Sequence, residues 1–146
     1  MGALIIPSEY GYVLAVATLS VLHLGVLTFK VGKARKAANV PYPYAYAEQS
    51  QAEKDPLKHI FNCAQRAHQN SLEVFPIYST LLLIGGLKYP CISSAAGLVF
   101  LAGRAVYASN YSTGKVEKRT RGGFFTAGLV ALLITTSLTI YHLVMN

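Results

Sequence analysis

Two long runs of this chain are almost free of charge. From Tyr12 to Phe29 the one acidic, basic or histidine side chain is His23, and from Gly122 to Met145 it is His142. Each run is about the length, near 20 residues, that crosses a bilayer as a helix. Two shorter stretches join them: Val74 to Leu87, uncharged, and Ile92 to Tyr111, which carries Arg104 alone. The pattern predicts an all-α integral membrane protein, one domain of four transmembrane helices over roughly 8–36, 57–87, 92–112 and 122–145. A water-soluble bundle needs a polar face on each helix, and the first and last runs have none.

Composition agrees, with 53% hydrophobic and 13% charged residues in 146. The net charge of +7 gains meaning from its placement. Lys30, Lys33, Arg35, Lys36, Lys54 and Lys58 fall between the first and second spans; Lys115, Lys118, Arg119 and Arg121 fall between the third and fourth. The remaining connection holds only Lys88. That asymmetry puts both basic loops in the cytoplasm and both termini on the opposite side. Anionic headgroups account for such charges, so nucleic acid is not expected as a partner. The N-terminus lacks the basic region of a signal peptide, so the first span is expected to stay as an anchor. Cys63 and Cys91 form no disulfide framework or zinc spacing, and no metal is expected. The ending YHLVMN carries no prenylation box.

The second helix opens on HIFNCAQRAHQNSLEVFP, an unusually polar stretch (residues 59–76). On a wheel of 100° per residue, His59, Asn62, Arg66, Gln69, Asn70 and Glu73 share about a third of the circumference. Ile60, Ala64, Ala67, Ser71 and Phe75 occupy the opposite face, and His68 and Gln65 fall off the stripe. Pro76 is expected to kink the helix beyond it. On the third helix Arg104, Tyr107 and Tyr111 stand at i, i+3 and i+7. Charge inside a membrane segment is costly and points to function. An ion pair that only holds helices together is the competing reading. The two arginines face one embedded carboxylate, Glu73, and that surplus of positive charge suits an anionic, amide-rich ligand. His23 and His142 read as structural, and no nucleophile–base pair or glycine-rich phosphate loop is present.

These features together resemble the MAPEG superfamily, membrane-associated proteins of eicosanoid and glutathione metabolism. Four stretches carry the resemblance in order and spacing, across nearly the whole chain: KARKAANVPYP, HIFNCAQRAHQNSLEVFP, the run from Gly103 to Gly114 that ends in YASNYSTG, and KRTRGG. It implies a four-helix protomer, a homotrimer in the endoplasmic reticulum membrane, and glutathione bound between neighbouring subunits near the cytosolic side. By position, Arg66, Asn70, Glu73, Arg104, Tyr107 and Tyr111 match the family's glutathione contacts, and Arg35 an arginine that reaches a glutathione carboxylate. The thiolate-activating arginine aligns with Arg119, with Lys118 and Arg121 as alternatives because loop length differs among members. His68, Val74 and Lys36 depart from the leukotriene C synthase relatives; the first two fit the type-3 microsomal branch.

The resemblance therefore implies a glutathione S-transferase and glutathione-dependent peroxidase. Glutathione is the co-substrate, and the second substrate is a lipophilic electrophile or a lipid hydroperoxide drawn from membrane lipids. A leukotriene C synthase-like reaction is then a side activity. The alternative is a non-catalytic, lipid-binding scaffold similar to the lipoxygenase-activating members.

Overall fold

The computed structural model describes residues 6–145. In chain order they form α1 (Tyr10–Ala37), α2 (Gln49–Ala52), α3 (Pro56–Gly86), α4 (Pro90–Tyr111), a 3-10 segment (Val116–Gly122) and α5 (Phe125–Met145). Among the described residues there is no strand. Three helices, α1, α4 and α5, are long and apolar enough to cross a membrane. The longest, α3, has 31 residues and continues through Pro76, but its first half carries the polar stripe.

The chain folds as two compact units. The first comprises α1 through Val21, Phe75–Ala102 and the chain from Phe124 onward. Tyr78 is fully buried there. Its ring stacks on Phe100 at 4.0 Å, and its hydroxyl shares a 2.8 Å hydrogen bond with Ser20. In α5 three threonines point inward. Thr135, Thr136 and Thr139 are buried while Leu133, Ile134, Leu138 and Ile140 are exposed. Thr136 donates to the Leu81 carbonyl at 2.8 Å, and Ser93 donates to Thr135 at 3.2 Å. These exposed Leu and Ile side chains, with three threonine hydroxyls turned inward, suit a lipid surround, where interhelical hydrogen bonds and small residues mediate helix contact. Gly128 permits one such approach: a Cβ there would stand 2.5 Å from the Ala96 carbonyl oxygen.

The second unit comprises Leu22–Val74 and Gly103–Gly123, and it holds every residue of the expected site. At the end of α1 Asn39 takes φ 51°. The Val40 and Asn39 amides then donate back to the Arg35 and Lys36 carbonyls, at 3.3 and 3.2 Å. This is a Schellman closure with Asn in the left-handed position. It turns the chain so that Ala38, Val40 and Ala47 pack on buried Phe61 of α3, with Val31 and Ala34 of α1 alongside. The stretch from Asn39 to Glu48 is therefore a strap lying on α3, and it leads into the short α2.

Candidate functional site

The polar stripe of α3 divides into two groups with different partners. Its outer members hold loops. The Asn62 side chain pairs in both directions with the Ala47 backbone, accepting from its N–H at 2.8 Å and donating to its carbonyl at 2.9 Å. Tyr46 donates its hydroxyl to Gln69, and burial pushes the Tyr46 phenol up from its ordinary value, partly opposed by Arg66. His59 shares a 2.9 Å hydrogen bond with the carbonyl of Gly114, whose φ of 80° turns the chain after α4. These three side chains share a face with the site, but their bonding capacity goes to the protein's own backbone and strap.

The inner members form a different network. Arg66 and Glu73, two turns apart on α3, pair at 2.8 Å, with their side chains 43% and 46% exposed. Asn70 sits between them and donates to Glu73 at 3.3 Å. Its amide oxygen accepts from Arg104 of α4 at 3.0 Å. Arg104 is 3% exposed, donates also to Ser71 at 2.9 Å, and lies over the Tyr107 ring at 4.4 Å. Ser71 is a participant that the helical wheel hides. It falls on the apolar face, and the only sign of its role in the sequence is a hydroxyl next to Asn70.

The network continues along α4. Tyr107 and Tyr111 meet edge to face at 5.7 Å, and the Arg119 guanidinium stands over Tyr111 at 5.6 Å. Arg119 belongs to the 3-10 segment, which ends at buried Gly122 against the α4 backbone. A Cβ on Gly122 would lie 2.4 Å from the Gly103 carbonyl oxygen and 2.5 Å from the Tyr107 amide nitrogen. Only glycine allows that approach, so the basic segment is pinned to the turn of α4 that carries Tyr107.

Arg35 keeps other company. It donates to the Tyr44 carbonyl at 2.7 Å, with its guanidinium over Tyr42 at 4.6 Å and Phe61 at 4.7 Å. His68, off the stripe, shares a 3.2 Å hydrogen bond with Thr28 of α1. The described residues contain no cluster of His, Cys, Asp and Glu able to hold a metal ion.

Chemically, the inner network presents cationic donors and a carboxylate acceptor on one partly open face. Arg104 is fixed from below by Asn70 and Ser71, while Arg66 and Glu73 remain accessible. Such a surface can bind a zwitterionic or polyanionic molecule with amide groups.

An all-helical chain with three apolar spans and a buried arginine tied into a polar network has the character of a MAPEG protein, and the comparison with known families agrees. The MAPEG family model matches residues 13–141, and the chain belongs to that family. Among its relatives are microsomal glutathione S-transferase 2 of Mus musculus and of Homo sapiens. Each is 30% identical over 120 residues, covering 82% of this chain and 74% of the relative.

Proposed function

We propose that this chain is a membrane-bound glutathione S-transferase with glutathione-dependent lipid-hydroperoxide peroxidase activity. It works as a homotrimer of four-helix transmembrane protomers in the endoplasmic reticulum, with α3 as the fourth span, basic loops cytoplasmic and termini lumenal. The observation that carries this reading is the chain Arg66–Glu73–Asn70–Arg104: two guanidinium groups and one carboxylate, bridged by an amide. The relatives' transferase name supports it.

In this reading Arg66 and Arg35 pair with the carboxylates of glutathione, Arg104 adds positive charge from beneath and orders Asn70 for the ligand, and Glu73 receives its ammonium group. Asn70, Tyr107 and Tyr111 hydrogen-bond its polar groups. Binding between neighbouring subunits gives Arg35 its place, since the strap fixes it on a separate set of partners. Arg119 stabilises the sulfur as thiolate. A free thiol of pKa about 8.5 is only a few per cent ionised at neutral pH. Lowering it by about two units corresponds to about 2.7 kcal/mol, within the range one adjacent cation supplies in a partly dry site. Of Lys118, Arg119 and Arg121, the ring contact with Tyr111 favours Arg119. The thiolate then displaces the leaving group of an electrophile, or adds to its activated carbon. With a hydroperoxide it takes the terminal oxygen, the O–O bond breaks, and the alcohol leaves with a proton. A second glutathione then resolves the sulfenic acid to disulfide and water. Residues His68 and Val74 favour the type-3 microsomal branch, with leukotriene C synthase chemistry as a side activity.

Calorimetry on the purified protein in detergent, followed by conjugation and hydroperoxide-reduction assays, tests the reading. Glutathione binding with both activities is expected. If glutathione does not bind, the non-catalytic lipid-binding scaffold takes its place.

A further inference from the structure

The face of α3 opposite the polar stripe lines a second, unrelated recess. Ile60 and Ala64 of α3 form its floor with Ala34 and Ala37 of α1, and Ser109, Ser112 and Thr113 close it from the end of α4. Lys30 and Lys33 stand at its edge, and the groove encloses about 370 Å³. No acidic side chain lines it. Lys30 and Lys33 lie one turn apart on α1, and Lys30 is the first charge after the apolar run ending at Phe29. The recess therefore sits where hydrocarbon gives way to headgroups. One and two turns before Lys30, Val26 and Leu22 are 50% and 61% exposed, and Val106 precedes Ser109 by one turn of α4 at 36%. An apolar track thus leads away from a basic, hydroxyl-bearing pocket.

We infer that this groove is a binding site for one anionic phospholipid of the surrounding membrane. Its headgroup phosphate lies between Lys30 and Lys33, and an acyl chain follows the track past Val26 and Val106. Charge complementarity selects the occupant: two unneutralised ammonium groups above an apolar floor match an anion with a hydrocarbon tail. Basic recesses between transmembrane helices hold anionic headgroups by the same physics. The site is independent of the glutathione reading, because Ile60 and Ala64 face away from Arg66, Asn70 and Glu73 on the helical wheel.

The test is native mass spectrometry of the full chain released from nanodiscs of phosphatidylcholine with or without phosphatidylserine. The wild type is expected to retain one phosphatidylserine in preference to phosphatidylcholine. The double variant Lys30→Gln/Lys33→Gln is expected to lose that preference by about thirtyfold. Lys30→Arg/Lys33→Arg should keep most of it. Lys54→Gln/Lys115→Gln removes the same net charge from exposed loop positions and should leave retention unchanged. Equal retention by the Gln double variant, or equal loss in the Lys54/Lys115 control, overturns the site. So does protection by soluble glycerophosphoserine as effective as by the lipid, since the apolar floor would then be unused. Should the Gln double variant fail to fold, Ala64→Phe, which fills the floor without touching charge, must abolish the preference for the proposal to stand.

Discussion

Arg104 of α4 donates to the side-chain oxygen of Asn70 on α3 at 3.0 Å. That bond makes Asn70 the hinge of the site, because its amide nitrogen reaches Glu73 from the other side. A buried guanidinium is thereby coupled to an exposed ion pair through one amide group. The coupling orders the cluster without consuming its outer charges.

Replacing Arg104 should be the most damaging single change to ligand binding. Arg104→Lys keeps the charge, but its single ammonium cannot reproduce the planar fork that meets Asn70 and Ser71. Loss of one or two charge-assisted bonds corresponds to about 1.5–3 kcal/mol, or a roughly ten- to hundredfold weaker glutathione affinity. Calorimetry on the lysine variant reads this directly. An unchanged affinity would show that Arg104 serves only to hold the helices.

Arg66 and Glu73 make the complementary case. Their pair is solvent-exposed, and exposed pairs add little to folding. Arg66→Ala and Glu73→Ala should therefore leave the melting temperature nearly unchanged while reducing glutathione binding strongly. If both variants lose stability and binding in proportion, the pair is structural cement rather than a ligand contact.

Gly122 is predicted to be the least replaceable glycine of the basic segment. Gly122→Ala places a methyl group against the backbone of Gly103 and Tyr107, which cannot yield as a flexible side chain does. The 3-10 segment must move, and Arg119 with it, so kcat should fall alongside a lower melting temperature. Gly25→Ala, whose added Cβ meets nothing within 4 Å, should be neutral or stabilising by up to about 1 kcal/mol from helix propensity. Circular dichroism melts and conjugation rates on the pair separate the two effects.

The strap over α3 should respond to its latches without unfolding the helices. Asn62→Ala leaves the Ala47 N–H and carbonyl without their partner, a local cost of about 1–3 kcal/mol. Hydrogen exchange should rise across residues 40–48 while α4 and α5 stay protected. The Tyr46 latch adds a pH signature. Its hydroxyl donates to Gln69, and its folded pKa is raised. Its contribution is therefore fully present below the unfolded value of about 10 and is lost as pH rises through the folded one. Tyr46→Phe should remove that alkaline loosening. A wild-type strap whose exchange is no more pH-dependent than that of Tyr46→Phe would rule the latch out.

What can be read from the sequence follows from which patterns have one physical meaning. Apolar runs bounded by lysine and arginine make α1, α4 and α5 legible, since length and hydropathy leave few alternatives. The stripe on α3 is legible as a stripe. Its division is not, because a helical wheel cannot say whether Asn62 meets a ligand or a backbone fifteen residues upstream. Ser71 is hidden for a related reason: Arg104 is long enough to reach around the helix to a residue assigned to the apolar face. The inward threonines of α5 are masked by the surrounding Leu and Ile, which dominate the hydropathy of that run. The 3-10 segment has no periodicity to announce it, and only packing at Gly122 explains its position.

At the centre of the proposed function is a site that binds glutathione and holds it as a thiolate beside Arg119. The direct measurement is the thiolate absorbance in the ultraviolet during a glutathione titration at neutral pH, on wild type and Arg119→Ala. A saturable thiolate signal is expected in the wild type, and binding without that signal in the variant. Absence of the signal from the wild type, or an undiminished signal in Arg119→Ala, would contradict it.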